Sequence, residues 1–218
     1  MTATLSTPRL ATAPRTAPRR ALVAGTVAGP LFLATGLVQG LSREGFGFGR
    51  NAISQLALGD LGWIQTISFL VTGALLLAGA AGLRRVLRGE RGGTWAPALV
   101  GVFGASFWAA AAFDADAGAG FPVGAPDAAT MTGHGAAHMA AGMIGYLSLC
   151  VALLLLARPL AARGDRAFAR ATRIAPVFVL AGFMASAASV MAFTAGAALG
   201  LLWLSAVLYR LNRPGAAV

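Results

Sequence analysis

"LGWIQTISFLVTGALLLAGAAGLRRVLR", residues 61–88, begins with a tryptophan near its start, runs to Leu83 without a single charge, and then meets Arg84, Arg85 and Arg88. A helix needs roughly 20 mainly apolar residues to cross the hydrocarbon of a bilayer. Arginines directly after such a run hold its end among headgroups, and Trp63 suits the opposite interface as an aromatic anchor. The stretch therefore predicts a membrane-spanning helix over 61–83.

Five further segments read the same way: 21–41, 96–113, 135–157, 174–192 and 195–209, of which only the last is short. With 57% hydrophobic residues, 11% charged residues and a mean hydropathy of +0.74, the chain lies outside the range of soluble domains. The expected fold is all-α, a polytopic bundle of six transmembrane helices with a short interfacial helix before the second. Residues 1–20 are expected to form a disordered basic cytoplasmic tail, 21–211 the transmembrane domain, and 212–218 a second cytoplasmic tail.

The formal charge of +10 is carried entirely by arginine on the basic side, and position matters more than the total. Arg9, Arg15, Arg19 and Arg20 precede the first span, and Arg84, Arg85, Arg88 and Arg91 follow the second. Arg158, Arg163, Arg166, Arg170 and Arg173 separate the fourth from the fifth, and Arg210 and Arg213 close the chain. With six spans these share one side and only Arg43 and Arg50 fall on the other. The positive-inside rule then places both termini in the cytoplasm of a multi-pass protein of the cell membrane. The arginine clusters lack interleaved aromatics, which argues against nucleic acid and for membrane lipids as partners, including anionic headgroups on the cytoplasmic face. Arginine without lysine, among abundant Ala and Gly, fits a chain encoded by GC-rich bacterial DNA.

Inside the spans, small residues recur at helix spacing: Gly25 and Gly29, Gly36 and Gly40, Gly101 and Gly104, Gly182 and Ser186. They predict close helix contacts, because van der Waals packing is the main attraction between helices in lipid. Pro30 is expected to bend the first span as a packing kink. Cys150 reads as packing, and Thr26, Thr35, Ser106, Ser148, Ser186 and Ser189 as hydroxyls that bond within their own helices.

Two connections carry the remaining chemistry. In the first, Asn51 is expected to cap a short amphipathic helix whose Ile53, Leu56 and Ala57 face the membrane, with Gly59 ending it and Asp60 capping span two. Arg50, Ser54 and Gln55 would point away from that face. In the second, "FDADAGAGFPVGAPDAATMTGHGAAHMAAG", residues 113–142, acids end one span and histidines open the next. His134 and His138 lie one helical turn apart, so their imidazoles share a face. With Asp116 they match a two-histidine, one-carboxylate zinc site that leaves a position for water, and Asp114 or Ser54 could then handle a proton. The same residues would equally serve as a hydrogen-bonded tie between His138 and an aspartate, with no metal at all.

"NAISQLALGDLGWIQTISFLVTGALLLAGAAGLRR" followed by "FDADAGAGFPVGAPDAATMTGHGAAH" resembles the bacterial family called domain of unknown function 998. The features that carry the resemblance are Ser54, Leu56, Gly62, Trp63, Asp116, His134 and His138. One departure is Ala117, where the family pattern has proline after the aspartate, and the last outer connection is short. The resemblance implies six membrane helices and supplies no activity. The sequence thus supports an integral membrane protein in a structural, regulatory or small-solute role, with an outer-face Asp/His polar cluster. The alternative is a membrane-surface zinc-dependent hydrolase acting on a lipid or envelope substrate.

Overall fold

Backbone amides have no water to bond inside hydrocarbon, so a chain of this composition satisfies them within helices. The computed structural model describes residues 16–90 and 92–213, and there six long helices account for nearly all regular structure. They are α1 (Thr16–Ser42), α2 (Gly62–Val86), α3 (Trp95–Ala112), α4 (Gly133–Ala162), α5 (Arg166–Met184) and α6 (Val190–Asn212). All six are long and apolar enough to cross a membrane. Two 3-10 turns, Ile53–Ala57 and Ala185–Ala187, complete the described elements.

Each helix packs on its successor, and α6 returns to α1, so the helices form a closed ring with α4 and α6 also touching across it. Both described chain ends and the α2–α3 and α4–α5 connections lie at one end of the ring, the termini end. The α1–α2, α3–α4 and α5–α6 connections lie at the other, the far end. The outward surface is apolar: Ile144, Leu147, Val151 and Leu154 are exposed at helical spacing along α4, as lipid contact requires. Trp63 at the far end and Trp95 at the termini end are also exposed.

The two halves of the ring are filled differently. Toward the termini end, Leu22, Leu83, Leu153, Leu156, Leu160 and Leu208 are fully or almost fully buried in a solid aliphatic core. Toward the far end, the interior is aromatic. Small residues bring backbones together at two of the expected places: a Cβ at Gly25 would lie 2.8 Å from the Cα of Gly79, and one at Gly182 would lie 2.9 Å from the Cα of Gly196, whereas Gly36 and Gly40 face Ile53, Phe46 and Phe48 of the first connection. Ser186 departs from that expectation, since it is exposed rather than packed at a crossing. Pro30 is exposed on the surface of α1, which runs unbroken through it.

Several boundaries differ from the sequence reading. Helix α1 begins at Thr16, so residues 16–20 are helical rather than tail; residues 1–15 and 214–218 lie outside the described residues. Helix α5 begins at Arg166, eight residues before the expected 174, and ends at Met184 rather than 192. Its first turns are polar on one side, with Arg166, Arg170 and Arg173 exposed and Ala169 and Thr172 buried. A hydropathy window registers only the apolar remainder of such a helix. The α5–α6 turn, built from Ala and Ser, contains neither Gly nor Pro to announce it.

The expected short helix before α2 is present as the 3-10 helix Ile53–Ala57, with its apolar side turned onto the bundle: Leu56 is fully buried, and Ile53 packs on Gly36 of α1. Its N-cap is Ala52, not Asn51. Asp60 is exposed and caps nothing, because Leu61 occupies the N-cap position of α2 without a side-chain bond.

Candidate functional site

A polar clasp closes the far end. Asn51, fully buried, accepts a hydrogen bond from Gly47 N (3.0 Å) and donates Nδ2–H to Gly118 O (3.3 Å), joining the first connection to the second. Gln55 reinforces the join: its Oε1 accepts from Ala52 N, and its Nε2 donates to Asp116 O at 3.1 Å. Arg43, just beyond α1, donates to Leu56 O (2.6 Å) and Leu58 O (2.7 Å) and lies over the Phe121 ring at 4.9 Å. Burial pulls the Arg43 pKa below its ordinary value, and the nearby charge of Asp60 opposes that shift. Phe46 packs against both Phe48 and Phe121, which completes the clasp.

Beneath it lies a cavity of about 410 Å³, within the size range of small-molecule sites. Its aromatic walls belong to a continuous series of ring contacts drawn from every helix. Phe69 of α2 meets Phe32 of α1 (5.5 Å), which meets Phe107 of α3 (5.2 Å), and Phe107 meets Phe103 of the same helix (5.3 Å). Phe103 then meets Tyr146 of α4 (5.1 Å), Tyr146 meets Phe183 of α5 (4.8 Å), and Phe183 meets Phe193 of α6 (4.9 Å). Met139 and Met143 add flexible apolar lining, and Ser106, Ser186 and Thr194 add hydroxyls. Ser54, Gln55, Asp116 and His138 supply the polar part at the clasp.

The cavity reaches the side of the bundle. Tyr146 bonds Ala197 O and so lies level with it. The run from Gly133 to Tyr146 rises about 20 Å, whereas that from Val190 to Ala197 rises about 10 Å. Helix α4 therefore overtops the α5–α6 turn, and beside this step Met139, Met143 and Ser186 are both exposed and cavity-lining.

The structure separates most of the residues that the sequence grouped. Asp116 does not reach His138; its carboxylate accepts from Thr132 Oγ1 (2.6 Å) and Thr132 N (3.2 and 3.3 Å), while Thr132 Oγ1 caps α4 by accepting from Gly135 N. The carboxylate occupies the space that a Cβ at position 135 would need, so a larger residue there would displace Asp116. His138 Nδ1 instead lies 2.8 Å from Phe113 O, and its ring stands edge-on to Phe69 at 6.2 Å. A carbonyl can only accept, so Nδ1 carries the proton. His134 is exposed against Phe113, and Asp114 is exposed beyond the end of α3. Arg50 is exposed and donates to Gly45 O outside the cavity.

Among the described residues no three of His, Cys, Asp and Glu come together to hold a metal. The expected set of His134, His138 and Asp116 is thus not assembled for zinc. Asp116 is held by Thr132 and His134 lies exposed against Phe113, whereas the Phe113 carbonyl takes only Nδ1 of His138 and leaves Nε2 free. His138, Asp116 and Ser54 nonetheless line one cavity.

Sequence reasoning missed the aromatic series because it supplies one or two rings per span, with no motif. It also missed Gln39 and Gln65, buried side by side, with Gln39 Nε2 donating to Gln65 Oε1 at 2.8 Å. An amide in each of two consecutive spans was the available signal. Of the hydroxyls, Thr26 and Ser106 bond within their own helices as expected, and Ser189 caps α6.

Residues 26–210 match the model of a family described as Protein of unknown function (DUF998). No curated protein and no solved structure matches the chain.

Proposed function

Starting from a chain that belongs to the DUF998 family, a group named for its lack of an assigned activity, we propose that this multi-pass membrane protein binds an amphipathic, membrane-dissolved molecule. The observation that carries the reading is the far-end cavity: apolar and aromatic within, polar at the clasp, and open beside the step where α4 overtops the α5–α6 turn. A molecule entering from lipid would keep its chain among Phe32, Phe107, Met143 and Phe193 while its head met Ser54, Gln55, Asp116 and His138. Nothing in the reading requires turnover, and it fits a regulatory or small-solute role better than a purely architectural one.

We further propose that the termini end faces the cytoplasm and the far end the outside of the cell membrane. Arginine placement supports this orientation. Exposed Arg166, Arg170 and Arg173 on one side of α5 would then meet anionic lipid headgroups.

Gly142 lines the cavity, and a Cβ there would meet nothing within 4 Å, so a large side chain at this position fills the space without a backbone clash. Native mass spectrometry of the purified protein should detect retained lipid-sized adducts that Gly142→Trp removes. Equal retention by the two proteins would overturn the binding reading.

A further inference from the structure

The polar atoms at the clasp restrict the kind of head that the cavity accommodates. Because His138 gives its Nδ1 proton to Phe113 O, the neutral ring leaves Nε2 as an acceptor. Asp116 brings a carboxylate whose oxygens accept hydrogen bonds from Thr132 and retain further lone pairs. The Gln55 amide is committed on both sides, to Ala52 and to Asp116 O. The Ser54 hydroxyl can donate and accept.

Among the described residues no arginine lines the cavity. The two at this end are engaged elsewhere: Arg43 on the carbonyls of Leu56 and Leu58, and Arg50 on Gly45 O. A phosphate here would be desolvated beside Asp116 with no cation to balance it, which is strongly unfavourable. A hydroxyl finds acceptors at His138 and Asp116 and a donor at Ser54.

We infer, on the basis of the binding reading above, that the cavity selects a neutral, hydroxyl-headed lipid of the diacylglycerol or long-chain alcohol class and discriminates against its phosphate ester.

The test compares two ligands that share the same chains. Displacement of a fluorescent diacylglycerol from the purified full-length protein is measured with dioleoylglycerol and with dioleoyl phosphatidate. The measurement is made on the wild type, Gly142→Trp, His138→Phe and Ser54→Ala. Dioleoylglycerol should compete at a concentration about tenfold lower than phosphatidate, a difference of about 1.4 kcal/mol. His138→Phe keeps an aromatic ring against Phe69 and should narrow that preference about threefold. Ser54→Ala, which leaves the bonds of Asn51, Gln55 and Arg43 intact, removes a donor that either head can use, so it should weaken both ligands without narrowing the preference and separates a general loss of binding from a change in head selectivity. Equal or tighter binding of phosphatidate, or an unchanged preference in His138→Phe, would overturn the head selectivity. Abolition of binding by Gly142→Trp in that case would leave the cavity reading standing. A wild type that binds neither ligand above the Gly142→Trp level would remove both.

Discussion

Buried amides that form only part of their hydrogen bonds are sensitive positions in a membrane protein. Gln39 and Gln65 share one bond, while Gln39 Oε1 and Gln65 Nε2 have no partner among the described residues. Replacing Gln65 leaves Gln39 with only a long bond to Thr35 O (3.4 Å), whereas replacing both removes the pair's unmet demand. Gln65→Leu alone should therefore lower stability by about 2 kcal/mol, and Gln39→Leu combined with Gln65→Leu should recover most of that loss in thermal unfolding in a single detergent. Arg43 belongs to the same scale. Arg43→Ala strips two carbonyls of the clasp of charge-assisted bonds, and a loss of about 3 kcal/mol is expected in the same assay. Neither role was legible in the sequence, since both depend on which carbonyls and amides the folded connections present. The same limit explains His138 and Asp116: their place at one end of the bundle was readable from the order of the spans, but the cavity they line and their bonds to Phe113 and Thr132 depend on how the connections fold, which no residue pattern specifies.

At the scale of elements, helix ends and crossings set the architecture of the site. Thr132 caps α4 and Asp116 holds Thr132, so Thr132→Ala should cost about 1 kcal/mol and raise hydrogen exchange in the first turn of α4. The crossing of α5 and α6 at Gly182 and Gly196 lies close to Phe183 at the base of the cavity. Gly182→Leu should force these helices apart and lower stability by about 2 kcal/mol, measured by thermal unfolding, with loss of the retained lipid. The existence of all six helices was plain from uninterrupted apolar length, and the small-residue crossings from their spacing. The start of α5 was not, because Arg166, Arg170 and Arg173 dilute the hydropathy of a helix whose buried side is regular. The short helix before α2 was legible from its apolar spacing, but the turn of Leu56 onto the bundle was not, because burial and contact with lipid favour the same apolar residues.

For the molecule as a whole, orientation depends on where the arginines lie relative to six crossings. Reporter fusions at the N- and C-termini should both give cytoplasmic signals, and Arg84→Glu with Arg85→Glu should disturb insertion or orientation in the same fusions. The ring also has sides of unequal height. Thirty residues make α4 about 45 Å long, while the nineteen of α5 give about 28 Å, against a hydrocarbon layer of about 30 Å. A uniform bilayer cannot match both flanks, so lipid must thicken beside one or the taller helix must lean. Acyl-chain length thereby becomes a variable acting on the step between α4 and the α5–α6 turn. In a thin membrane that doorway stands at the headgroups, and in a thick one it opens onto oil.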